Sequence, residues 1–126
     1  MVSRRLRALP FHCVKGLSAM RNQTKTVELN DHLRTTFRGG RVQMTPAVYA
    51  LDPQLRGRAL SALSRYNKFA DDEDHDWGVF IFAGYSFEWH IECRANDGTG
   101  ISADPADPEK TLRVLTLYTA TDFQVR

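Results

Sequence analysis

This sequence of 126 residues has no long hydrophobic run, only two cysteines and no recognisable catalytic motif. No apolar stretch approaches the roughly 20 residues that span a bilayer, which excludes a transmembrane helix. We also expect no signal peptide ahead of Cys13 and Cys93, because basic residues break the apolar positions near the N-terminus. The sequence therefore predicts a cytoplasmic protein with reduced thiols and no membrane partner.

The chemical motifs of common enzymes are absent as well. No Ser or Cys lies in a nucleophile elbow, no glycine-rich loop is built to bind phosphate, and no CxxC pair is present. These absences favour a binding protein over an enzyme, with no cofactor and no catalytic residues predicted.

An acidic loop, residues 69–77, has spacing that resembles a metal-binding loop. Asp72, Asp74 and Asp76 alternate as in calcium loops, since hard cations take several oxygen ligands. The match is incomplete because Trp77 occupies the position where those loops have glycine, and no bidentate glutamate follows at the required spacing. We therefore predict no metal site and interpret the segment as a solvated acidic loop.

The clearest structural signal is the stretch from Gly78 to Cys93, GVFIFAGYSFEWHIEC. It predicts two strands joined by a two-residue loop at Ala83 and Gly84. In that register Gly78 lies opposite Trp89, and alternation places six apolar residues on one face. These are Phe80, Phe82, Tyr85, Phe87, Trp89 and Ile91. We expect this aromatic face to be covered and the other face to meet water or a partner.

Two helices are predicted, over residues 22–37 and 53–67, each with one apolar stripe. Thr45-Pro46 and Asp52-Pro53 are typical helix starts, with a capping oxygen followed by proline. Short strands are predicted at 41–45 and 111–121, the latter with Leu115 and Leu117 inward. Because strands and helices do not alternate, the fold class is α+β. We expect an antiparallel sheet of about four strands with the two main helices packed on one face.

Charge divides the chain unequally. Residues 1–68 hold 13 Lys or Arg against 3 Asp or Glu, whereas residues 69–126 hold 4 against 12. Residues 1–19 are basic, contain no acid and include Pro10, so we predict a mobile N-terminal extension. Residues 20–126 then form a single domain. Folding can also bring the two halves together so that they neutralise each other.

Polar residues in the acidic half are candidates for contact with a partner protein. On the predicted strand, His90 shares the face opposite the aromatic residues with its acidic neighbours. The candidate set is Asp72, Asp74, His75, Asp76, Glu88, His90 and Glu92. An ordinary solvent-facing strand explains the same pattern. For a nucleic-acid partner the candidates are instead Arg34, Arg38 and Arg41, around the predicted end of the first helix. Solvated arginines beside a helix cap explain the same pattern.

A family resemblance rests on short groups of residues along the chain. They are Asn30-Asp31-x-Leu33-Arg34, Gly39-Gly40-Arg41-Val42, Thr45, Leu51 to Pro53, His75-Asp76-Trp77-Gly78, Phe87 with Trp89 and Ile91, Asp104-Pro105-Ala106-Asp107-Pro108, and Thr111-x-Arg113-Val114-Leu115-Thr116. Over about residues 22–120 the pattern resembles a small bacterial domain family of unknown function. That family is found in chromosomes, plasmids and phages.

The resemblance implies a mobile-element setting but no activity. Small phage and plasmid proteins without catalytic motifs are often inhibitors of host defence. The first hypothesis is therefore a non-enzymatic binding protein of a bacterial mobile element that contacts a host protein, with an anti-CRISPR-like inhibitor as one form. The alternative is a nucleic-acid-binding accessory protein that uses the basic N-terminal half.

Overall fold

A computed structural model describes residues 20–71 and 73–120 of the chain. In chain order its elements are α1 (Met20–Thr36), β1 (Arg41–Met44), α2 (Pro46–Tyr49), α3 (Pro53–Ser64), β2 (Trp77–Phe82), β3 (Tyr85–Ala95) and β4 (Thr111–Thr119). The predicted α+β class is confirmed, with α1 and α3 as the main helices. Asp72 and the predicted mobile extension, residues 1–19, lie outside the described residues.

The β2–β3 hairpin forms in the predicted register. Phe82 pairs with Tyr85, and Gly78 pairs with Trp89. The two loop residues have positive φ angles, 53° at Ala83 and 82° at Gly84. This is the backbone of a type I′ turn, whose twist matches that of the strands it joins. The alternation of apolar residues and the two-residue loop together determined this pairing.

The sheet has the order β1-β4-β3-β2. β3 pairs antiparallel with both β2 and β4, but β1 pairs parallel with β4, from Arg41 opposite Val114 to Met44 opposite Leu117. The predicted sheet of four mostly antiparallel strands is confirmed, and β1 with β4 is its one parallel pair in the described residues. β1 and β4 are far apart in sequence, so no turn determines their relative direction.

The helices cover one side of the sheet, which we call the helix face. Leu33, Val48, Ala59 and Leu63 from the helices are fully buried there. They pack against the sheet residues Phe87, Trp89, Ile91, Cys93, Leu115 and Leu117. The predictions that the aromatic face is covered and that Leu115 and Leu117 point inward are both confirmed.

The other side of the sheet, which we call the second face, carries the alternate residues of each strand. Glu88 pairs with Tyr118, His90 with Thr116 and Glu92 with Val114 across β3 and β4. Trp77, Val79 and Ile81 of β2 share this side by register. The simple expectation of a solvent-facing strand is wrong here, because Glu88, His90 and Val114 are 2%, 3% and 1% exposed.

α1 buries a polar residue that its apolar stripe did not predict. Leu33 is fully buried, but Arg34, placed on a solvated side by the sequence, is only 5% exposed. Its guanidinium lies 4.9 Å from the ring centre of Phe69 and 5.7 Å from that of Trp89. Arginine tolerates such burial because its delocalised cation stacks on aromatic faces.

Both proline-marked helix starts are present, but only one uses its cap. Asp52 accepts hydrogen bonds from the backbone N–H of Gln54 and Leu55 at 3.0 and 3.3 Å. The Thr45 side chain makes no such bond at the start of α2. The carboxylate of Asp52 therefore satisfies N–H groups that have no partner within α3.

Asp52→Ala is expected to lower the free energy of unfolding by about 1 kcal/mol, the usual value of an N-cap. Urea denaturation measures the loss. Asp71→Ala is the matched control, because Asp71 is also exposed and caps no helix. Its effect should stay within about 0.5 kcal/mol. Equal stability of the two variants would contradict a capping role for Asp52.

Cys93 corrects the expectation of reduced thiols. It is 1% exposed on the helix face and is disulfide-bonded. The other cysteine of the sequence, Cys13, lies outside the described residues. In the part of the chain described, no helix is both long enough and apolar enough to cross a membrane.

Candidate functional site

The tip of the β2–β3 hairpin exposes large apolar side chains. Ile81 is 78% exposed on the second face, and Tyr85 is 43% exposed on the helix-face side of the same turn. Phe82, opposite Tyr85, is half-buried. We call residues 81–85 the hairpin tip. It presents an aliphatic and an aromatic side chain on a turn of defined backbone geometry.

The base of the same hairpin is held by Tyr66. Its ring meets Trp89 edge-on with the centroids 5.5 Å apart and lies against Gly78, and its hydroxyl donates a hydrogen bond to the carbonyl of Lys68 at 3.3 Å. Burial raises the pKa of Tyr66, so its hydroxyl stays protonated at neutral pH. Tyr66 therefore covers the start of edge strand β2, and the hairpin tip extends beyond it.

The acidic loop is largely built into the fold rather than solvated. Asp74 and Asp76 are 4% and 3% exposed. The Asp74 carboxylate accepts a hydrogen bond from Gln23 Nε2 at 3.1 Å, and the carbonyl of Asp76 accepts one from the N–H of Ile91 at 2.7 Å. Neither carboxylate lies open on the surface for a partner protein.

His75 pairs with Asp31 of α1. The two atoms Nδ1 and Asp31 Oδ1 are 2.8 Å apart, and the same oxygen accepts a hydrogen bond from Arg34 Nη1 at 2.7 Å. The imidazole stacks on Phe69 with ring centres 3.9 Å apart. His75 has a φ of 61°, a left-handed conformation in which histidine is enriched. The cluster fixes the loop to α1 at a partly exposed position.

A buried network around Arg113 connects four parts of the chain. Arg113 is 2% exposed and donates from Nε to Asn30 Oδ1 at 2.7 Å and from Nη2 to the carbonyl of Pro105. Asn30 in turn donates to the carbonyl of Asp74 at 3.0 Å. Burial lowers the pKa of Arg113 to about 10, which leaves it charged at neutral pH. Three groups of the family resemblance thus meet in one structural contact.

The candidate residues on β3 form a pair within the second face. His90 Nε2 and Glu88 Oε2 are 2.7 Å apart, and both side chains are 3% exposed. Tyr118 lies beside them, its ring centre 5.1 Å from that of His90. Glu92 is more open and accepts a hydrogen bond from Arg94 Nε at 2.7 Å.

The three arginines of the nucleic-acid hypothesis lie in different environments. Arg34 is buried and paired with Asp31, so it is not available to a phosphate. Arg38 and Arg41 are exposed on either side of Gly39 and Gly40. Of the three arginines predicted to contact nucleic acid, Arg38 and Arg41 are therefore the two that are exposed.

Two clefts flank the loop that follows β3. One, of about 390 Å³, is lined by polar residues of the loop that include Asn96, Ser102 and Asp104. The other, of about 370 Å³, lies beside Glu92 and Arg94. Ile101, 52% exposed, borders both. Over residues 20–71 and 73–120, no group of three or more metal-ligating side chains is arranged around a common point.

Sequence reasoning missed the partners that hold the candidate residues. Asp31 lies 44 positions from His75, and Asn30 lies 83 positions from Arg113. The resemblance named Asn30, Asp31 and Arg113, but nothing local indicated that they meet distant residues. Phe69 and Tyr66 gave no signal beyond their apolar character.

The fold and its contacts define a class of protein. It is a small α+β domain in which a buried polar network connects two long loops to a four-stranded sheet. Residues 44–122 match the family described as "Protein of unknown function (DUF3768)", and the chain belongs to that family. The matched range includes β2, β3 and β4. Asn30 to Arg34 precede it. No curated protein and no solved structure matches the chain.

Proposed function

We propose that this protein is a binding protein of a bacterial mobile element that acts by inserting its hairpin tip into an apolar cleft of a host protein. The observation that supports this proposal most directly is the exposure of two large apolar side chains at the tip, 78% for Ile81 and 43% for Tyr85. The two side chains project from opposite faces of one hairpin tip, and large exposed apolar side chains that lie close together commonly mark a contact surface. Tyrosine is also enriched among the residues that dominate binding energy.

The geometry of the tip supports recognition of a protein. A type I′ turn holds Ala83 and Gly84, and the antiparallel pairing with β3 holds the strand that carries Ile81. A preorganised hairpin loses little conformational entropy when it binds, so more of its contact energy appears as affinity. The mobile-element setting of the family resemblance favours host defence proteins, CRISPR effectors among them, as the partner class.

Ile81→Arg tests the proposal by placing a charge at the tip. We expect binding to the captured host protein to weaken at least about tenfold, which corresponds to the loss of about 1.4 kcal/mol from an interface anchor. Thermal stability should not change, because the side chain is already exposed. Pull-down from a host with intact defence systems, followed by titration with the purified partner and phage plating, measures these effects.

Ile101→Arg is the matched control, since it makes the same substitution at an exposed isoleucine beyond the other end of β3. It should bind like the parent. Loss of binding in Ile101→Arg but not in Ile81→Arg would assign recognition to the clefts of the 94–110 loop. Recovery of no protein partner together with unchanged phage resistance would contradict the proposed function itself.

The nucleic-acid alternative now depends on Arg38 and Arg41. Counterion release requires that affinity for DNA or RNA fall steeply with salt. Titration of duplex DNA and single-stranded RNA at two salt concentrations tests this alternative. If Arg38→Glu with Arg41→Glu removes a salt-dependent shift while Ile81→Arg leaves it intact, nucleic acid is the partner class.

A further inference from the structure

Strand β2 forms one edge of the sheet. Within residues 20–71 and 73–120 it pairs with β3 alone, and β1 lies at the opposite edge. The N–H of Ile91 in β3 donates to the carbonyl of Asp76 at 2.7 Å, so the even-numbered residues of β2 direct their backbone groups toward β3. Because that direction alternates along an antiparallel strand, Trp77, Val79 and Ile81 direct their N–H and C=O groups away from β3.

The outer edge of β2 is covered at its base and open near the hairpin tip. At the base Tyr66 packs against Gly78, and its hydroxyl lies near the backbone of Val79. Ile81 lies beyond this contact and is 78% exposed. In the described part of the chain, no backbone hydrogen bond joins the outer side of Ile81 to another element. Its N–H and C=O therefore present a donor and an acceptor to an added strand.

The two edges of the sheet differ in how well they are protected. β1 has four residues and exposes Arg41 and Gln43. β2 has six residues, WGVFIF, with no charged side chain, no proline and an unbroken register against β3. Short length, charge, proline and bulges are the features by which proteins prevent a further strand from adding to a sheet. The β2 edge has none of them, so it is the edge that can accept another strand.

We propose that the β2 edge receives an extended, uncharged segment of the partner protein as an added antiparallel strand, in which one residue exchanges two backbone hydrogen bonds with Ile81. The inference rests on the proposed function, since the host protein that receives the hairpin tip supplies this strand. Main-chain bonds provide affinity in strand addition, and alternate side chains provide specificity. The residue opposite Ile81 lies beside it on the second face, and its neighbours lie beside Phe80 and Phe82 on the helix face. All three positions suit apolar side chains.

Amide hydrogen exchange in the full-length protein, measured by NMR, tests strand addition with a defined probe. The probe is the capped peptide acetyl-Thr-Val-Thr-Val-Thr-Val-amide, which is uncharged and consists of residues that favour strands. In the free protein the Ile81 amide should exchange much faster than that of Phe80, which is directed toward β3. With the peptide at about ten times its Kd, exchange at Ile81 should slow about tenfold, because only the unbound fraction exchanges.

The matched control peptide has the same residues with every backbone nitrogen methylated. It has no N–H donor and should not slow exchange at Ile81. Ile81→Pro makes the complementary change in the protein, since it removes an outward N–H without removing a bond to β3. It should bind the probe at least about tenfold more weakly than Ile81→Ala, because the facing carbonyl of the probe loses its donor. Circular dichroism establishes whether both variants are folded, and the exchange measurement on the parent does not depend on them.

An Ile81 amide already protected in the free protein, no slowing by the peptide, or equal slowing by the methylated peptide would overturn the proposal. Protection of Ile81 that rises with protein concentration, together with a dimer in sedimentation, would assign the edge to a second copy instead. If the peptide protects Ile81 but no host protein is captured, strand addition stands and the proposed function fails. If Ile81→Arg abolishes capture but the peptide never protects Ile81, strand addition fails and the proposed function stands.

Discussion

Arg113→Ala is expected to be among the most destabilising single substitutions in this protein. It would leave Asn30 Oδ1 and the Pro105 carbonyl without the donors they have now. A buried acceptor that loses its partner costs about 1–3 kcal/mol. The truncation also leaves a cavity beside β4. We expect the free energy of unfolding, measured in urea, to fall by roughly 3–5 kcal/mol.

Arg94→Ala is the control for this substitution, because Arg94 is on the neighbouring strand but its side chain is 46% exposed. Its bond to Glu92 is a surface ion pair, worth about 0–1 kcal/mol. A double-mutant cycle with Asn30→Ala should show strong non-additivity, since the two side chains share one hydrogen bond. If Arg113→Ala and Arg94→Ala unfold at the same urea concentration, the network does not stabilise the fold.

The sequence predicted well those parts of the fold that depend on neighbouring residues. The register of β2 against β3 follows from alternation and a two-residue loop, and Asp52 caps α3 as its position before Pro53 indicated. The parallel pairing of β1 with β4 could not be obtained this way. It joins residues more than 70 positions apart, for which a local pattern contains no directional information.

The sequence analysis failed mainly in predicting which charged residues are buried. Arg34, Asp74, Asp76, Glu88 and His90 were placed on solvated surfaces, yet all are at most 5% exposed. Charged side chains are normally exposed, so composition alone favours that assignment. Arg34, for example, is buried against the aromatic rings of Phe69 and Trp89, which only the folded chain brings near it.

The exposure of the hairpin tip could not be predicted from the sequence, for a different reason. The sequence identified Ile81 as a second-face residue and Tyr85 as part of the aromatic face, but gave no reason to separate them from their neighbours. Tyr85 is exposed because Tyr66 packs against Gly78 at the other end of β2, whereas Ile81 lies on the face that the helices do not cover. Recognition surfaces of this kind become visible only after the covering elements are placed.

Gly78→Ala is expected to lower the free energy of unfolding by roughly 1–3 kcal/mol, the usual range for overpacking. A Cβ at this position would lie 2.5 Å from Tyr66 Cζ and 2.8 Å from Trp89 Nε1. Trp89 is fully buried and paired opposite Gly78, so it has no free space into which to move. Gly78→Val should be worse for the same reason. Thermal and urea denaturation measure the loss.

Gly57→Ala is the matched control and should have the opposite sign. Gly57 lies inside α3, and a Cβ there would have no heavy atom within 4 Å. Alanine is favoured over glycine in a helix interior by about 0.8–1.0 kcal/mol, so this variant should be more stable than the parent. The His75-Asp76-Trp77-Gly78 stretch then acts through packing at the base of the hairpin. If Gly78→Ala melts like the parent but no longer binds the host protein, the stretch belongs instead to the recognition surface.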